Sequence, residues 1–208
     1  MKKTLFTVSA IALILGSSLY FSTSTSIKAA SETNSIEKDV YIRDASYASF
    51  TDIKALENAA DVIAEVKFSG KRETKVWEYE EGDTYTNTLT SVEVKKVHKG
   101  EVSKGEEIGV YEPAYISENG FHSIEGYNLM NKKGKYLLYL RTKKDGNYSV
   151  LGLYQGKYDL NETSTLNELK KFRSYEDVQD REYLGDEVEH FNKLKKENLK
   201  KYTQKDIY

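Results

Sequence analysis

The chain has three histidines, and none has sequence neighbours that complete a catalytic or metal site. His98 ends the segment "YTNTLTSVEVKKVHKG", and no serine, cysteine or acid lies at a spacing that would form a nucleophilic site with it. His122 and Glu125 could supply two metal ligands from one loop, whereas a zinc site takes three or four. His190 lies beside two glutamates on a charged helix, which is typical of a solvated side chain. We therefore predict no catalytic residue, no metal and no cofactor.

Four acids crowd one predicted hairpin, namely Glu78, Glu80, Glu81 and Asp83. Such a cluster could be the carboxylate pair of a glycosidase or a calcium site. The spacing of a calcium loop is absent, and consecutive acids beside an "EGD" turn are more typical of a solvent-exposed tip. An extracellular hydrolase stays open as the alternative function.

Tyrosine is the compositional exception, with 17 tyrosines against seven phenylalanines and one tryptophan. Its ring combines apolar area with a polar rim, which suits half-buried strand faces and stacking on sugars or peptides. Residues 112–134 show no clean period and are interpreted as a long loop, a kind of segment that is commonly functional. We expect any ligand-binding surface to lie around this loop and to contain Tyr111, Tyr115, His122 and Tyr127.

Residues 1–29 have the layout of a secretory signal, with two lysines before an apolar run and then small and hydroxyl residues. The apolar run, about residues 5–15, is shorter than the roughly 20 residues that span a bilayer, so a membrane anchor is the weaker alternative. Cleavage is expected after Ala29, with Ala30 nearly as suitable. The chain has no cysteine, which excludes a lipid-anchor cysteine and disulfides. We predict a secreted, extracellular protein without an integral membrane span after signal removal.

The predicted mature chain is acidic. Removal of the signal takes three lysines and no acid, so 28 of the 31 basic residues remain against 33 acidic ones. This balance argues against a nucleic-acid partner, because affinity for nucleic acid is largely carried by a basic face. The partner we expect is an extracellular protein, a peptide or a cell-wall polymer.

From residue 60 the apolar pattern has a period of two, which is typical of strands. The second strand is apolar at Val92 and Val94 but out of phase at Val97, which indicates a β-bulge. Pro113 ends a third strand. "GKYLLYLRT" and "GNYSVLGLYQGKYDL" are a fourth and a fifth strand, joined by a turn whose Asp-Gly pair favours a hairpin. Five strands, two of them bent, predict a small closed barrel.

Helical patterns flank these strands. Thr51 or Asp52 can cap a short helix before them, and apolar residues at helical spacing recur after residue 162. The fold class is therefore mainly β (α+β), an OB-like five-stranded small β-barrel with a short N-terminal helix and C-terminal helices. The predicted organisation is a signal peptide (1–29), an N-terminal arm (30–50), the barrel domain (51–161) and a charged helical extension (162–208).

The motifs "ADVIAEV", "YTNTLTSVEVKKVHKG", "GEEIGVYEP", "KKGKYLLYL" and "GLYQGKYDL" resemble those of small, mostly uncharacterised secreted proteins of Gram-positive bacteria, over about residues 52–160. The resemblance implies an OB or netrin-like core, the fold also used by tissue inhibitors of metalloproteinases. It implies architecture rather than activity, because it brings no agreed catalytic residues. This chain departs from the pattern at Glu112 and Pro113, where relatives often have glycines. It also lacks the cysteines through which those inhibitors present their N-terminus to a metal.

These observations predict a secreted, non-enzymatic binding or interaction protein whose ligand the sequence does not identify. The alternative is an extracellular hydrolase, and the second alternative is an inhibitor or immunity-type protein that acts on another exported protein. A hydrolase should show converging carboxylates, a binding protein an exposed tyrosine patch, and an inhibitor a rigid protruding loop.

Overall fold

Alternating apolar and polar residues place most of the described chain in strands. The computed structural model describes residues 39–78, 84–167 and 174–203, which form a mainly β protein with nine strands and two α-helices. In chain order the strands are β1 Asp39–Arg43, β2 Val62–Glu78, β3 Thr84–Lys99, β4 Glu107–Glu112, β5 Ala114–Ile116, β6 Gly120–Ile124, β7 Tyr136–Thr142, β8 Tyr148–Val150 and β9 Lys157–Asp159. The helices are α1 Ile53–Ala59 and α2 Val188–Tyr202, with 3-10 turns at Leu153–Gly156 and Tyr175–Asp177.

Several predicted features lie outside the described residues. They are the secretory signal of residues 1–29, the three acids at the hairpin tip after Glu78, and the middle of the first predicted C-terminal helix, residues 168–173. Within the described ranges, no helix is long and apolar enough to cross a membrane.

Five strands are hydrogen-bonded into a closed ring. β2 pairs antiparallel with β3, and β3 pairs antiparallel with β4. β4 then pairs parallel with β8, which is antiparallel to β7. β7 closes the ring by antiparallel pairing with β2, from Val62 opposite Leu140 to Val66 opposite Tyr136. β9 continues the sheet along the first half of β7.

The predicted bulge in the second strand is confirmed. Val94 lies opposite Val66, whereas Lys96 lies opposite Glu65, so Lys95 is an extra residue in β3. The extra residue shifts the alternation by one position. As a result Val94 is buried in the ring and Val97, three residues later, packs against the same core.

The prediction of an irregular loop over residues 112–134 is wrong in its first half. β5 and β6 form a hairpin there, and β1, inside the predicted N-terminal arm, pairs parallel with β6. These strands make a separate three-stranded sheet with the order β1-β6-β5. Strands of three and five residues contain too few alternations to show a period, and a parallel partner about 80 residues away leaves no local pattern.

The predicted fifth strand is interrupted. Gly152 has a φ of +62° and Leu153 a φ of +55°, so the chain turns between β8 and β9 instead of continuing as one strand. An added Cβ at Gly152 would lie 2.9 Å from the ring of Phe50, so glycine also permits close packing at this turn.

The apolar side chains form two layers on the two faces of the ring strands. One face of β2 and β7 fills the ring, and the other packs against α1 and α2. The second layer is rich in tyrosine, and its fully or nearly fully buried rings are Tyr139, Tyr154, Tyr158 and Tyr183.

Helix α1 begins as predicted, because the Asp52 side chain accepts a hydrogen bond from the Ala55 N–H at 2.9 Å. Helix α2 buries Val188, Phe191 and Leu194. Its last turn contains Lys200 and Lys201, whose positive charges interact favourably with the negative end of the helix dipole.

Candidate ligand-binding pocket

A long hairpin arm forms one side of the candidate site. Residues 72–78 of β2 pair only with residues 84–90 of β3 and extend beyond the part of β2 that pairs with β7. Trp77 lies directly opposite Tyr85 near the end of this arm, and the two ring centroids are 6.0 Å apart. Such cross-strand aromatic pairs stabilise antiparallel ribbons.

The arm, β4 and the turn between β7 and β8 enclose a pocket of about 320 Å³. Its aromatic wall consists of Trp77, Tyr85 and Tyr111, and the Tyr111 ring meets the Trp77 ring edge-on at 5.3 Å. The remaining lining residues are Asn87, Lys143, Asp145, Ser149 and Val150. Aromatic walls with a few polar groups are the usual composition of a ligand site.

Asn87 is the unusual residue of this pocket. Its side chain is only 6% exposed, and its Oδ1 atom has no hydrogen-bond partner among the described residues. A buried acceptor without a partner costs about 1–3 kcal/mol. Since buried polar groups are nearly always paired, an unpaired amide oxygen in an aromatic pocket indicates a position for a donor group of a ligand.

The lining of the pocket also carries a negative charge, that of Asp145. The Tyr111 hydroxyl donates a hydrogen bond to Asp145 Oδ2 at 2.7 Å, and the Asn147 N–H donates to Oδ1 of the same carboxylate at 3.1 Å. The bond to Asp145 raises the pKa of Tyr111, and the bond from Tyr111 lowers the pKa of Asp145. The two shifts agree, so at neutral pH the tyrosine remains the donor and the aspartate remains charged.

A second hollow of about 420 Å³ lies further along the same face of β3. Tyr85, Asn87, Leu89 and Ser91 alternate along the strand, and the first two line the pocket while the last two line the hollow. From Tyr85 to Ser91 the strand spans roughly 20 Å at about 3.4 Å per residue. At Gly109, which lines the second hollow, an added Cβ would lie 2.2 Å from the Asn147 side chain. A ligand that contacts both hollows would therefore lie extended along roughly 20 Å of β3.

The four residues predicted to bind a ligand lie in three places. Tyr111 lines the pocket described above. Tyr115 and His122 lie opposite each other in β5 and β6, and their rings stack at 4.6 Å with the Tyr41 ring 4.9 Å away on His122. Burial, and then the nearby Arg43 guanidinium, lower the pKa of His122.

Tyr127 lies in the core of the ring. Its side chain is 0% exposed, and its hydroxyl donates a hydrogen bond to Glu112 Oε1 at 3.0 Å. Burial raises the pKa of Tyr127 well above its ordinary value. The structure thus brings Tyr115 and His122 together, but it joins neither Tyr111 nor Tyr127 to them.

The other two histidines have protein partners. His98 Nε2 lies 2.9 Å from Glu65 Oε1, and Lys135 Nζ contacts the other oxygen of the same carboxylate. Burial acts to raise the pKa of Glu65, but its bonds to Lys135 and His98 outweigh burial and lower it. The prediction that His190 is solvated is wrong, because its ring is half-buried and Nε2 lies 2.9 Å from the Phe50 carbonyl oxygen. In the described part of the chain, no group of three or more His, Cys, Asp or Glu residues could hold a metal ion.

Sequence reasoning missed Trp77 and Asn87. Trp77 and Tyr85 are each four residues from Glu81 at the centre of the predicted hairpin, so their pairing could be inferred from the position of the turn. The burial of Asn87 could not be inferred, because it depends on β4 and on the distant β7–β8 turn.

No protein-family model matches this chain, and a comparison with curated proteins finds no significant match.

Proposed function

We propose that this protein is a secreted, non-enzymatic binding protein that holds its ligand in the pocket between Trp77 and Asp145. The observation that carries the proposal is the unpaired Oδ1 of Asn87, which lies buried among aromatic rings. A hydroxyl or N–H group of a ligand would give this oxygen its missing partner.

We further propose that the ring is an OB-like five-stranded barrel. Its cyclic order β2-β3-β4-β8-β7, with a parallel step between β4 and β8, is compatible with a closed Greek-key arrangement. OB folds bind ligands on the face of their second and third strands, between the loops that follow the first and fourth strands. The pocket has the corresponding position, between the hairpin arm and the β7–β8 turn.

The lining of the pocket favours a polyhydroxylated ligand, such as a sugar unit of a cell-wall glycan. The carbon-bound hydrogens of a sugar ring can pack on Trp77, and sugar hydroxyls can donate to Asn87 Oδ1 and to Asp145. The acidic balance of the predicted mature chain disfavours nucleic acid. The length of the β3 face fits several linked units better than one.

Binding can be tested through the single tryptophan of the chain, because Trp77 lies in the pocket and is the only source of tryptophan emission. Soluble glycan strands released from purified Gram-positive cell walls should shift or quench this emission in a saturable manner. Replacement of Asn87 by Leu should weaken the effect, whereas Tyr115→Phe, on the other sheet, should not.

Two outcomes would overturn the proposal. One is the absence of saturable binding to these glycans in both fluorescence and calorimetry. The other is the appearance of cleaved glycan in mass spectra after incubation, which would favour the hydrolase. Secretion has a separate test, in which N-terminal sequencing of the protein from culture medium should begin at Ala30.

A further inference from the structure

The strand β1 lies at the edge of the three-stranded sheet, and one side of its backbone has no strand partner among the described residues. The Arg43 carbonyl accepts a hydrogen bond from the Glu125 N–H at 2.9 Å, so the backbone groups of Arg43 point towards β6. Successive residues of a strand direct these groups to opposite sides. Val40 and Ile42 therefore direct their N–H and C=O groups to the open edge.

This edge is short, exposed and partly apolar. Tyr41 is 43% exposed and Ile42 is 38% exposed, which places them among the large apolar residues most exposed in the described chain. Natural proteins commonly protect an edge strand with charged side chains, proline or a covering element. Here the two ends of the strand, Asp39 and Arg43, have opposite charges and are both exposed.

The sequence of β1, "DVYIR", is complementary to itself in the antiparallel direction. If Tyr41 lies opposite Tyr41 of a second copy, Asp39 lies opposite Arg43, and Val40 lies opposite Ile42. This register forms two ion pairs between the copies. It also places Val40 opposite Ile42, whose backbone groups have no strand partner in the described part of the chain, and this allows four N–H···O=C bonds. A shift by two residues in either direction separates Asp39 from Arg43.

We propose that two copies of this protein associate through antiparallel pairing of their β1 strands, with Tyr41 at the two-fold axis. The pairing joins two three-stranded sheets into one of six strands, which is a symmetric form of strand addition. The interface is smaller than that of a permanent dimer, so the association is reversible and depends on concentration. The proposal concerns β1 and is independent of ligand binding at Trp77.

The register can be tested with single cysteines, because the natural chain contains none. In the proposed dimer the two copies of residue 41 form a pair without hydrogen bonds, with Cα atoms about 4.5 Å apart, a separation that a disulfide can span. The two copies of residue 42 are displaced by two positions and lie more than about 8 Å apart, which is too far. Under mild oxidation, Tyr41→Cys should form a disulfide-linked dimer and Ile42→Cys should not. Equal cross-linking of both variants, or of neither, would overturn the register.

The association itself can be measured by sedimentation velocity over a range of concentrations. The protein is used as purified from the expressing cells, without further truncation. Asp39→Arg places like charges opposite each other twice and should raise the dimer Kd about tenfold. The double variant Asp39→Arg with Arg43→Asp restores both ion pairs and should recover the original Kd.

Ile42→Pro provides a second and independent variant. It removes only an N–H group that points to the open edge, a position at which proline is tolerated. This variant should keep its circular dichroism spectrum and lose dimer formation. A wild-type protein that stays monomeric at every concentration, or a double charge variant no better than Asp39→Arg alone, would refute the proposal.

Discussion

The hydroxyl of Tyr127 donates a hydrogen bond to Glu112 at 3.0 Å in the interior of the ring, where neither side chain is exposed. Thr90 Oγ1 also donates to this carboxylate, and the Met130 N–H donates to it at 2.8 Å. A buried carboxylate is tolerated only when such donors surround it. Glu112 is thus a buried acceptor that joins β3, β4 and residues 127–130 in the core.

Tyr127→Phe should destabilise the protein by about 1–3 kcal/mol, because it removes one donor from the buried carboxylate of Glu112. Urea unfolding measures this change. The matched control is Tyr115→Phe on the small sheet, which should alter stability by less than about 0.5 kcal/mol. Equal effects of the two substitutions would contradict the role assigned to the Tyr127 hydroxyl.

Asn87→Leu should weaken ligand binding without lowering the stability of the protein. It removes a buried acceptor that lacks a partner, so the free energy of unfolding should stay constant or rise by about 1 kcal/mol. Affinity for glycan strands should fall about tenfold, since a lost hydrogen bond of about 1.4 kcal/mol corresponds to that factor. Urea unfolding and titration of the Trp77 emission measure the two quantities. A variant that is less stable and binds normally would identify Asn87 as a structural residue.

The Lys195 ammonium contacts the Glu182 carboxylate, and both side chains are buried. Burial raises the pKa of Glu182, although Lys195 opposes this effect. Lys195→Met leaves the carboxylate without its counter-charge and should cost about 3–5 kcal/mol. Adding Glu182→Gln should recover part of this loss, and thermal unfolding can compare the three proteins. An unchanged melting temperature in Lys195→Met would show that the pair contributes nothing.

Stability should depend on pH through His122. Burial and Arg43 lower the pKa of His122 in the folded state, so near its ordinary value of 6.5 the folded chain binds fewer protons than the unfolded chain. The resulting stabilisation is complete above pH 6.5 and is lost as the pH falls through the lower pKa of the folded state. His122→Gln lacks this titration, so the stability difference between the wild-type protein and this variant should shrink on acidification. A difference that is constant with pH would contradict the lowered pKa.

Local patterns in the sequence were sufficient for part of the fold. Asp52 caps α1 and Lys95 is the extra residue of the predicted bulge. Val188 and Phe191, which have helical spacing in the sequence, lie on the buried face of α2. Each of these features depends on residues within about ten positions of each other. The pairing of β1 with β6 could not be predicted in this way, because its partners are about 80 residues apart and each strand is too short to show a period.

The candidate site shows the same division. Local patterns predicted that Tyr111 lies on the third strand and that an Asp-Gly turn, which carries Asp145, joins the next two strands. The sequence also placed Tyr127 on one surface with Tyr111, Tyr115 and His122, whereas packing of β4 against residues 127–130 buries the Tyr127 ring. Nothing in the sequence indicated Asn87, because its burial and its lack of a hydrogen-bond partner depend on elements that are distant in the chain.

The tyrosine-rich layer between the ring and the two helices affects how the protein responds to alkali. Burial raises the pKa of the Tyr139, Tyr154, Tyr158 and Tyr183 hydroxyls well above 10. These phenols remain neutral while exposed tyrosines become phenolate, and they can ionise only when the layer opens. Stability from this layer is therefore complete below pH 10 and declines above it, so absorbance at the phenolate band should rise in two stages, with the second at the unfolding transition.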